Sequence, residues 1–310
     1  MSDKEFNSMS ENIVRSKSVN EIHESLGLDK PKHPLITIID MSKLTCGEER
    51  VGSRITSDLY CIALKDANCA LDYGRNHYDQ AEGMLLFTAP DQVITLTRAH
   101  GLNEINGWLL YFHPDLVRNT PLGDRIEDYS FFGYDTHEAL HLSEQEEATM
   151  NHCVELIQME INERIDNHSQ RVIVSNIELL LNYSVRFYER QFNTRTAQNK
   201  DLISKVESLL KSWYKSGQLI ESGPPTIQYL ANECHLSASY LSDLLKKETG
   251  RTAKDHINDF LMDKAKNMLL SSSDSISGIA YNLGFNYPHY FSRLFKNKTG
   301  MTPQEYREVN

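Results

Sequence analysis

The stretch YLSDLLKKETGRT, from Tyr240 to Thr252, nearly returns as YFSRLFKNKTGMT, from Tyr290 to Thr302. Tyr240, Ser242, Leu244, Lys246, Thr249, Gly250 and Thr252 recur fifty residues on as Tyr290, Ser292, Leu294, Lys296, Thr299, Gly300 and Thr302. Upstream, Ile227, Leu230, Ala231, Cys234 and Leu236 match Ile276, Ile279, Ala280, Leu283 and Phe285 at an offset of forty-nine. The chain therefore contains an internal duplication, and the connecting turn of the second copy has gained one residue.

In each copy a short helix pattern with Ala at its middle (Ala231, Ala280) leads into a tight turn and a second helix, which is a helix-turn-helix layout. The small Ala lets the two helices cross closely. Gly284 in the second turn takes a positive φ without a Cβ clash, whereas His235 at the same place in the first copy is a less comfortable choice. Leu241, Leu244 and Leu245 in one second helix, and Phe291, Leu294 and Phe295 in the other, fall at i, i+3, i+4 and predict the buried side. The opposite stripe runs Ser239, Ser242, Asp243, Lys246 in one copy and His289, Ser292, Arg293, Lys296 in the other. On a lone helix such a stripe is ordinarily a solvated face; its duplication points to a shared ligand.

Between the copies, DHINDFLMDKAKNMLL places Ile257, Phe260, Leu261, Ala265, Met268 and Leu269 at helical spacing. One helix of roughly 16 residues, about 24 Å long, is predicted to join the units. Two units on such a spacer would present their second helices to major-groove segments roughly 34 Å apart on one face of DNA. The caps agree: Ser237 precedes the first exposed helix, the Ser271 to Ser275 cluster precedes the second unit, and Gly250 and Gly300 end the second helices.

Residues from about Asp201 to Arg307 resemble the DNA-binding domain of the AraC/XylS family of bacterial transcription regulators, most specifically along IAYNLGFNYPHYFSRLFKNKTGMTPQEYR, Ile279 to Arg307. The resemblance implies that the N-terminal residues of each second helix reach base edges. This maps Ser239, Tyr240, Ser242 and Asp243 in the first unit, and Tyr287, His289, Ser292 and Arg293 in the second, as reading candidates. Arg293 has two donors for guanine, worth roughly 1 to 3 kcal/mol of discrimination. Asp243 is repelled by phosphates yet accepts from a cytosine amino group, so the first unit either reads weakly or uses Asp243 to reject wrong bases. Lys246, Lys247, Arg251, Lys296 and Lys298 are expected as phosphate contacts, which position without reading sequence.

At 310 residues the chain has room for two domains. From Asp201 onward 13 Lys and Arg face 12 Asp and Glu, whereas the first 200 residues carry 19 against 31. A DNA-binding domain of near-zero charge has modest non-specific affinity, so dimerisation or an RNA polymerase partner is expected to supply the rest. Gln191 to Lys200 is polar without apolar periodicity and reads as a linker. The expected organisation is a polar arm (1–34), a cupin-like sensing and dimerisation domain (35–192), a linker (193–200) and a double helix-turn-helix domain (201–310). In fold class this is multi-domain α+β, a β-barrel with two following helices and then an all-α domain.

The runs LITIID, LYCIAL, GMLLFTAP, VITLT and WLLYF between Leu35 and Phe112 predict a small antiparallel barrel or sandwich. At Ser143, SEQE makes a capping box, and two amphipathic helices follow, to about Asn167 and from about Gln170 to Phe192. The apolar surplus of the second (Ile173, Ile177, Leu180, Leu181, Val185, Phe187) serves a dimer interface or packing on the barrel. Strands followed by helices match the family's sensory half, which implies a small effector inside the barrel. Arg54, Tyr60, Tyr73, Arg75, Tyr78 and Trp108 are candidates to line that pocket, and ordinary barrel packing accounts for the same residue types.

Neither a metal nor a cofactor is expected, because the His-x-His pattern of cupin enzymes is not found in these strands. HEALH, His137 to His141, fits the HExxH zinc-hydrolase pattern, which needs a helix beneath both His and the Glu. The capping box at Ser143 starts the helix only after His141, so HEALH reads as extended and an enzyme is not expected. The five cysteines (Cys46, Cys61, Cys69, Cys153, Cys234) are odd in number, without CxxC spacing, and read as buried thiols. No apolar run reaches the roughly 18 residues of a membrane span, and the first residues lack the apolar centre of a secretory signal, so a cytoplasmic location is expected. The sequence thus predicts a dimeric, sequence-specific regulator of transcription, an activator as is common in the resembled family, that senses a small effector. The alternative is a regulator without a small ligand, controlled by a protein partner or by dimerisation only.

Overall fold

In the N-terminal half, short apolar runs bounded by turn residues form strands. The computed structural model describes residues 13–44, 53–65, 83–95, 106–194 and 196–309. The chain divides into two compact units, Met1–Gln191 and Phe192–Asn310.

The first unit begins with β1 (Val14–Ser16) and α1 (Val19–Leu26), followed by β2 (Ile36–Asp40), β3 (Arg54–Ser57), β4 (Tyr60–Lys65), β5 (Gly83–Thr88), β6 (Ile94–Thr95) and β7 (Gly107–Phe112). Two short helices, α2 (Pro114–Val117) and α3 (Pro121–Arg125), lead through 3-10 turns to β8 (Leu140–Leu142), then α4 (Glu144–Asn162) and α5 (Ser169–Thr194). Where a polar arm was expected, the described residues after 12 form β1 and α1. Ser18 caps α1, and its apolar side is buried through Val19 and Ile22, which pack with Ile39 and Leu59.

The strands make two sheets, β1-β3-β6 and β2-β7-β4-β5-β8. The expected barrel is corrected here: among the described residues no sheet closes on itself. Strand periodicity fixes which face of a strand is buried but not its neighbour, and β3 pairs in parallel with β1 (Val14↔Ile55), not with the five-stranded sheet. In β7 the alternation buries Trp108, Leu110 and Phe112. On the same side Phe87 packs with Phe131 and Tyr188, and the Trp108 indole N–H donates to Asn151 of α4 at 2.8 Å. Ser143 caps α4 reciprocally with Glu146, as the SEQE pattern predicts. Arg190 of α5 pairs with Glu146 at 2.8 Å and so ties the two helices.

Cys61 and Cys153 are buried free thiols and Cys234 is half-buried; burial pushes the Cys61 thiol up to about 12, which makes it inert at neutral pH. Cys46 and Cys69 lie outside the described residues. No helix among the described residues is long and apolar enough to cross a membrane.

The second unit is all helical: α6 (Thr196–Lys215), α7 (Gln218–Ser222), α8 (Ile227–Cys234), α9 (Ala238–Thr249), α10 (Ala253–Ser271), α11 (Ile276–Asn282), α12 (Pro288–Thr299) and α13 (Pro303–Val309). The stretch read as a linker is therefore helical at 191–194 and 196–200. One core joins Leu230, Ala231, Leu241 and Leu245 of the first copy with Ile279, Ala280, Phe291 and Phe295 of the second, through Ile257, Leu261 and Ala265 of α10.

Candidate nucleic-acid interface

The duplication persists at the level of single hydrogen bonds. Leu236 N–H donates to Ala231 O at 2.9 Å, and Phe285 N–H donates to Ala280 O at 3.0 Å, so both turns close the same way. Ala231 and Ala280 are fully buried where the helices cross. His235 and Gly284 both take the left-handed conformation, with φ of 57° and 78°. Ser237 caps α9 by accepting from Tyr240 N–H, while α12 begins with Pro288 at its first position, and Gly250 and Gly300 end the two helices at φ of 74° and 82°.

The second helices, α9 and α12, bury the predicted faces. Leu241, Leu244, Leu245, Phe291 and Phe295 are buried, and Leu294 is partly so. Of the reading candidates, Ser239, Ser242, Asp243 and Ser292 are half-buried on the opposite stripe, and Tyr287, His289 and Arg293 are exposed. Tyr240 is the exception: it is 4% exposed and packs on Phe192, with ring centroids 5.2 Å apart. Phe192 covers it, and Asn199 donates to Phe192 O at 2.9 Å and to Glu248 at 2.7 Å. Tyr240 is therefore a packing residue and not a base reader.

Its duplicate, Tyr290, was missed by sequence reasoning. It is 48% exposed and carries the Arg293 guanidinium over its ring at 5.0 Å. With Tyr287, 60% exposed, and His289, it forms an aromatic cluster at the start of α12, with ring centroids 4.5 to 5.9 Å apart. No sequence signal separates the two tyrosines, since their local contexts are nearly the same.

The phosphate candidates also divide. Lys246, Lys247 and Lys296 are exposed near the ends of α9 and α12. Arg251 and Lys298 instead turn onto α10: Arg251 pairs with Asp259 at 3.2 Å, and Lys298 pairs with Asp255 at 3.1 Å and Asp259 at 2.9 Å. Arg251 and Lys298 thus share their charges with carboxylates of the spacer helix. The network braces α12 and the segment that follows α9 against the spacer.

The Thr252 hydroxyl, and then Lys298, hold the Asp255 carboxyl down to about 2, against an ordinary 3.8. A carboxyl whose folded value lies below its unfolded value stabilises above about pH 4, and that contribution fades as pH falls from there toward 2. Thermal melting from pH 5 to 2 should therefore show a steeper loss in the wild type than in Asp255→Asn. Identical slopes would remove Asp255 from the brace.

In the first unit, Trp108 borders a groove of about 680 Å³ that is also lined by Lys30, Lys32, Thr37, Asp40 and Asn151. The other described pocket candidates do not line it. Tyr60 stacks on Phe112 and meets Phe132 edge-on, both at 5.0 Å, which is core packing, and Arg54 sits on β3 of the three-stranded sheet. Tyr73, Arg75 and Tyr78 lie outside the described residues. HEALH is not wholly extended, since residues Thr136–Glu138 form a 3-10 turn. His141 lies on β8, where its backbone N–H donates to Gln191 at 2.8 Å. The α-helix that HExxH chemistry needs is not formed. Asp135, His137 and Glu138 offer ligand atoms within 4.8 Å of one another, without His141.

A family model described as a helix-turn-helix domain matches residues 230–308. The uncharacterized HTH-type transcriptional regulator YobQ of Bacillus subtilis is 35% identical over 84 residues, 27% of this chain and 35% of that protein. The HTH-type transcriptional activator RhaS of Escherichia fergusonii is 35% identical over 79 residues, 26% of this chain and 28% of that protein. The solved C-terminal domain of the two-component response regulator yesN from Fusobacterium nucleatum is 30% identical and covers 33% of this chain and 93% of that one, with a TM-score of 0.29. The matches to YobQ and RhaS span about a third of those relatives or less. The paired turns and the matched residues define a helix-turn-helix DNA-binding domain. Over that domain the chain is similar to transcription regulators, YobQ and RhaS among them.

Proposed function

We propose that the chain is a sequence-specific activator of transcription that reads two adjacent major-groove segments of double-stranded DNA with α9 and α12. The observation that carries this reading is the duplicated turn, closed by equivalent hydrogen bonds and followed each time by a polar stripe on a helix whose other face is buried. Within this reading Ser239, Ser242, Asp243, Tyr287, His289, Ser292 and Arg293 face bases, and Lys246, Lys247 and Lys296 contact phosphates. Activation is supported by relatives such as RhaS that are named activators. RNA polymerase is the partner that an activator engages.

The first unit senses and dimerises in this proposal, with the sensing half before Phe192 and the reading half after it. Val172 and Leu179, one heptad apart on α5, are exposed, as is Val185, which suits a helix that pairs with a second copy. The groove beside Trp108 has a volume in the range of small-molecule sites.

Selection from random duplex DNA by the full-length protein tests the reading. Two short elements about one helical turn apart are the expected product; the absence of any enriched sequence would overturn it. Lys296→Ala should weaken binding to all sequences alike and lower the slope of log K against log salt by about one. Titrations at several salt concentrations measure this, and a loss confined to one sequence would contradict a phosphate contact.

A further inference from the structure

We propose that the groove beside Trp108 binds an extended, uncharged peptide segment, which adds to the free edge of β2 as a further strand. This deepens the sensing role given to that groove and rests on it, and it is independent of DNA reading. β2 is the end strand of the five-stranded sheet, and among the described residues β7 alone pairs with it. Its sequence, ITIID, carries neither the Lys nor the Pro that ordinarily guards a sheet edge.

The ladder fixes which main-chain groups face outward. His113 N–H donates to Leu35 O at 2.8 Å, and Ile36 lies opposite Phe112. Hydrogen-bonded and non-hydrogen-bonded pairs alternate along an antiparallel ladder, so Thr37 and Ile39 turn their N–H and C=O toward β7. Ile36, Ile38 and Asp40 turn theirs the other way. The opposite edge of the sheet is finished differently: on β8, His141 N–H donates to Gln191 at 2.8 Å and His141 O accepts from Arg190, both of α5. The outward donors and acceptors of β2 repeat at every second residue, about 7 Å apart, which is the repeat of an extended main chain.

The groove follows that edge. It is lined by Thr37 and Ile39, on the face where Ile39 packs with Val19 and Ile22, and by Ile38, Asp40 and Trp108 from the face that meets α4. Residues 28–32 form one wall, and Val154, Gln158 and Ile161 of α4 form the other. Two walls leave room for one strand at the ordinary spacing of about 4.8 Å, whereas the same edge of a second copy would bring its own walls and be held off. Val154 and Ile161 are buried and offer apolar contact to alternate side chains of the guest. The charged groups of the groove balance, Lys30, Lys32 and Lys43 against Asp29, Asp40 and Glu155, and Lys43 pairs with Asp40 at 3.6 Å. A guest held by its main chain, uncharged and apolar at alternate positions, complements them.

Hydrogen exchange of the free full-length protein should be fast at Ile38 and Asp40 and slow at Thr37 and Ile39. Slow exchange at all four would mean an edge already paired and would overturn the inference. Short peptides selected from a random displayed library by the full-length protein should be apolar at alternate positions and should slow the exchange of Ile38 and Asp40. Ile38→Pro removes one outward N–H and spares the ladder with β7, so it should weaken the selected peptide roughly tenfold. N-methylation scanned along the peptide leaves the protein unaltered and should weaken binding only at every second amide. Peptides that bind wild type and Ile38→Pro alike, and that tolerate N-methylation at every position, would overturn the inference. Fast exchange at Ile38 and Asp40 with no peptide selected would overturn it too, while leaving the groove to a small molecule.

Discussion

Gly284→Ala is expected to destabilise the second unit by about 2 to 4 kcal/mol, far more than the same change at Gly250. Both glycines sit in the left-handed region, at φ of 78° and 74°, and there an alanine costs about 1 kcal/mol at each. Their surroundings separate them. A Cβ at Gly284 would lie 2.4 Å from Leu219 O and 2.7 Å from Gly223 Cα, whereas at Gly250 it would meet nothing within 4 Å. Backbone atoms do not swing aside as a flexible side chain does, so α7 and the turn would have to separate. The Trp213 indole N–H donates to Gly223 O at 3.0 Å, which makes that fluorophore a local reporter. Urea unfolding of the full chain, followed by Trp213 emission in a Trp108→Phe background, measures both variants; equal losses of stability would show that the close approach carries no cost.

Arg293→Ala should cost about 1 to 3 kcal/mol of discrimination at one base position, or roughly 5- to 150-fold. The guanidinium is exposed and lies over the Tyr290 ring, whereas Arg251 and Lys298 turn onto carboxylates of α10. Stacking orders the planar fork before DNA arrives, so less freedom is lost on binding. Arg293→Lys keeps the charge and loses the fork. It should therefore preserve total affinity and salt dependence while giving up the base preference, as read by competition between single-base variants of the selected site. A lysine variant with wild-type preference would show that Arg293 contributes charge and not recognition.

The helix-turn-helix units were legible because the signals that define them are local. Ser237, Gly250, Gly300 and the Ala pair act within a few residues of their own positions, and each does in the structure what its sequence context predicts. The strand-like runs likewise form strands over their described residues, because an apolar run between turn residues is a local signal. What the runs left open was their partnership: β1 takes β3 in parallel, and the barrel expected from the order of elements is not formed by the described residues.

The sequence by itself determined that one local unit is written twice, which faces of its second helices are buried, and where those helices begin and end. These properties depend on hydrogen bonds and side chains within about one helical turn, and a duplicated sequence reproduces them. The tertiary structure alone decided which of the duplicated polar and aromatic groups remain available to a ligand. Phe192, 48 residues from Tyr240, covers one tyrosine and leaves its twin exposed, and Asp255, 43 residues from Lys298, takes up a cation that the helix pattern assigned to phosphate. Availability is set by what the folded chain brings alongside from far away in sequence, and local pattern carries no record of it.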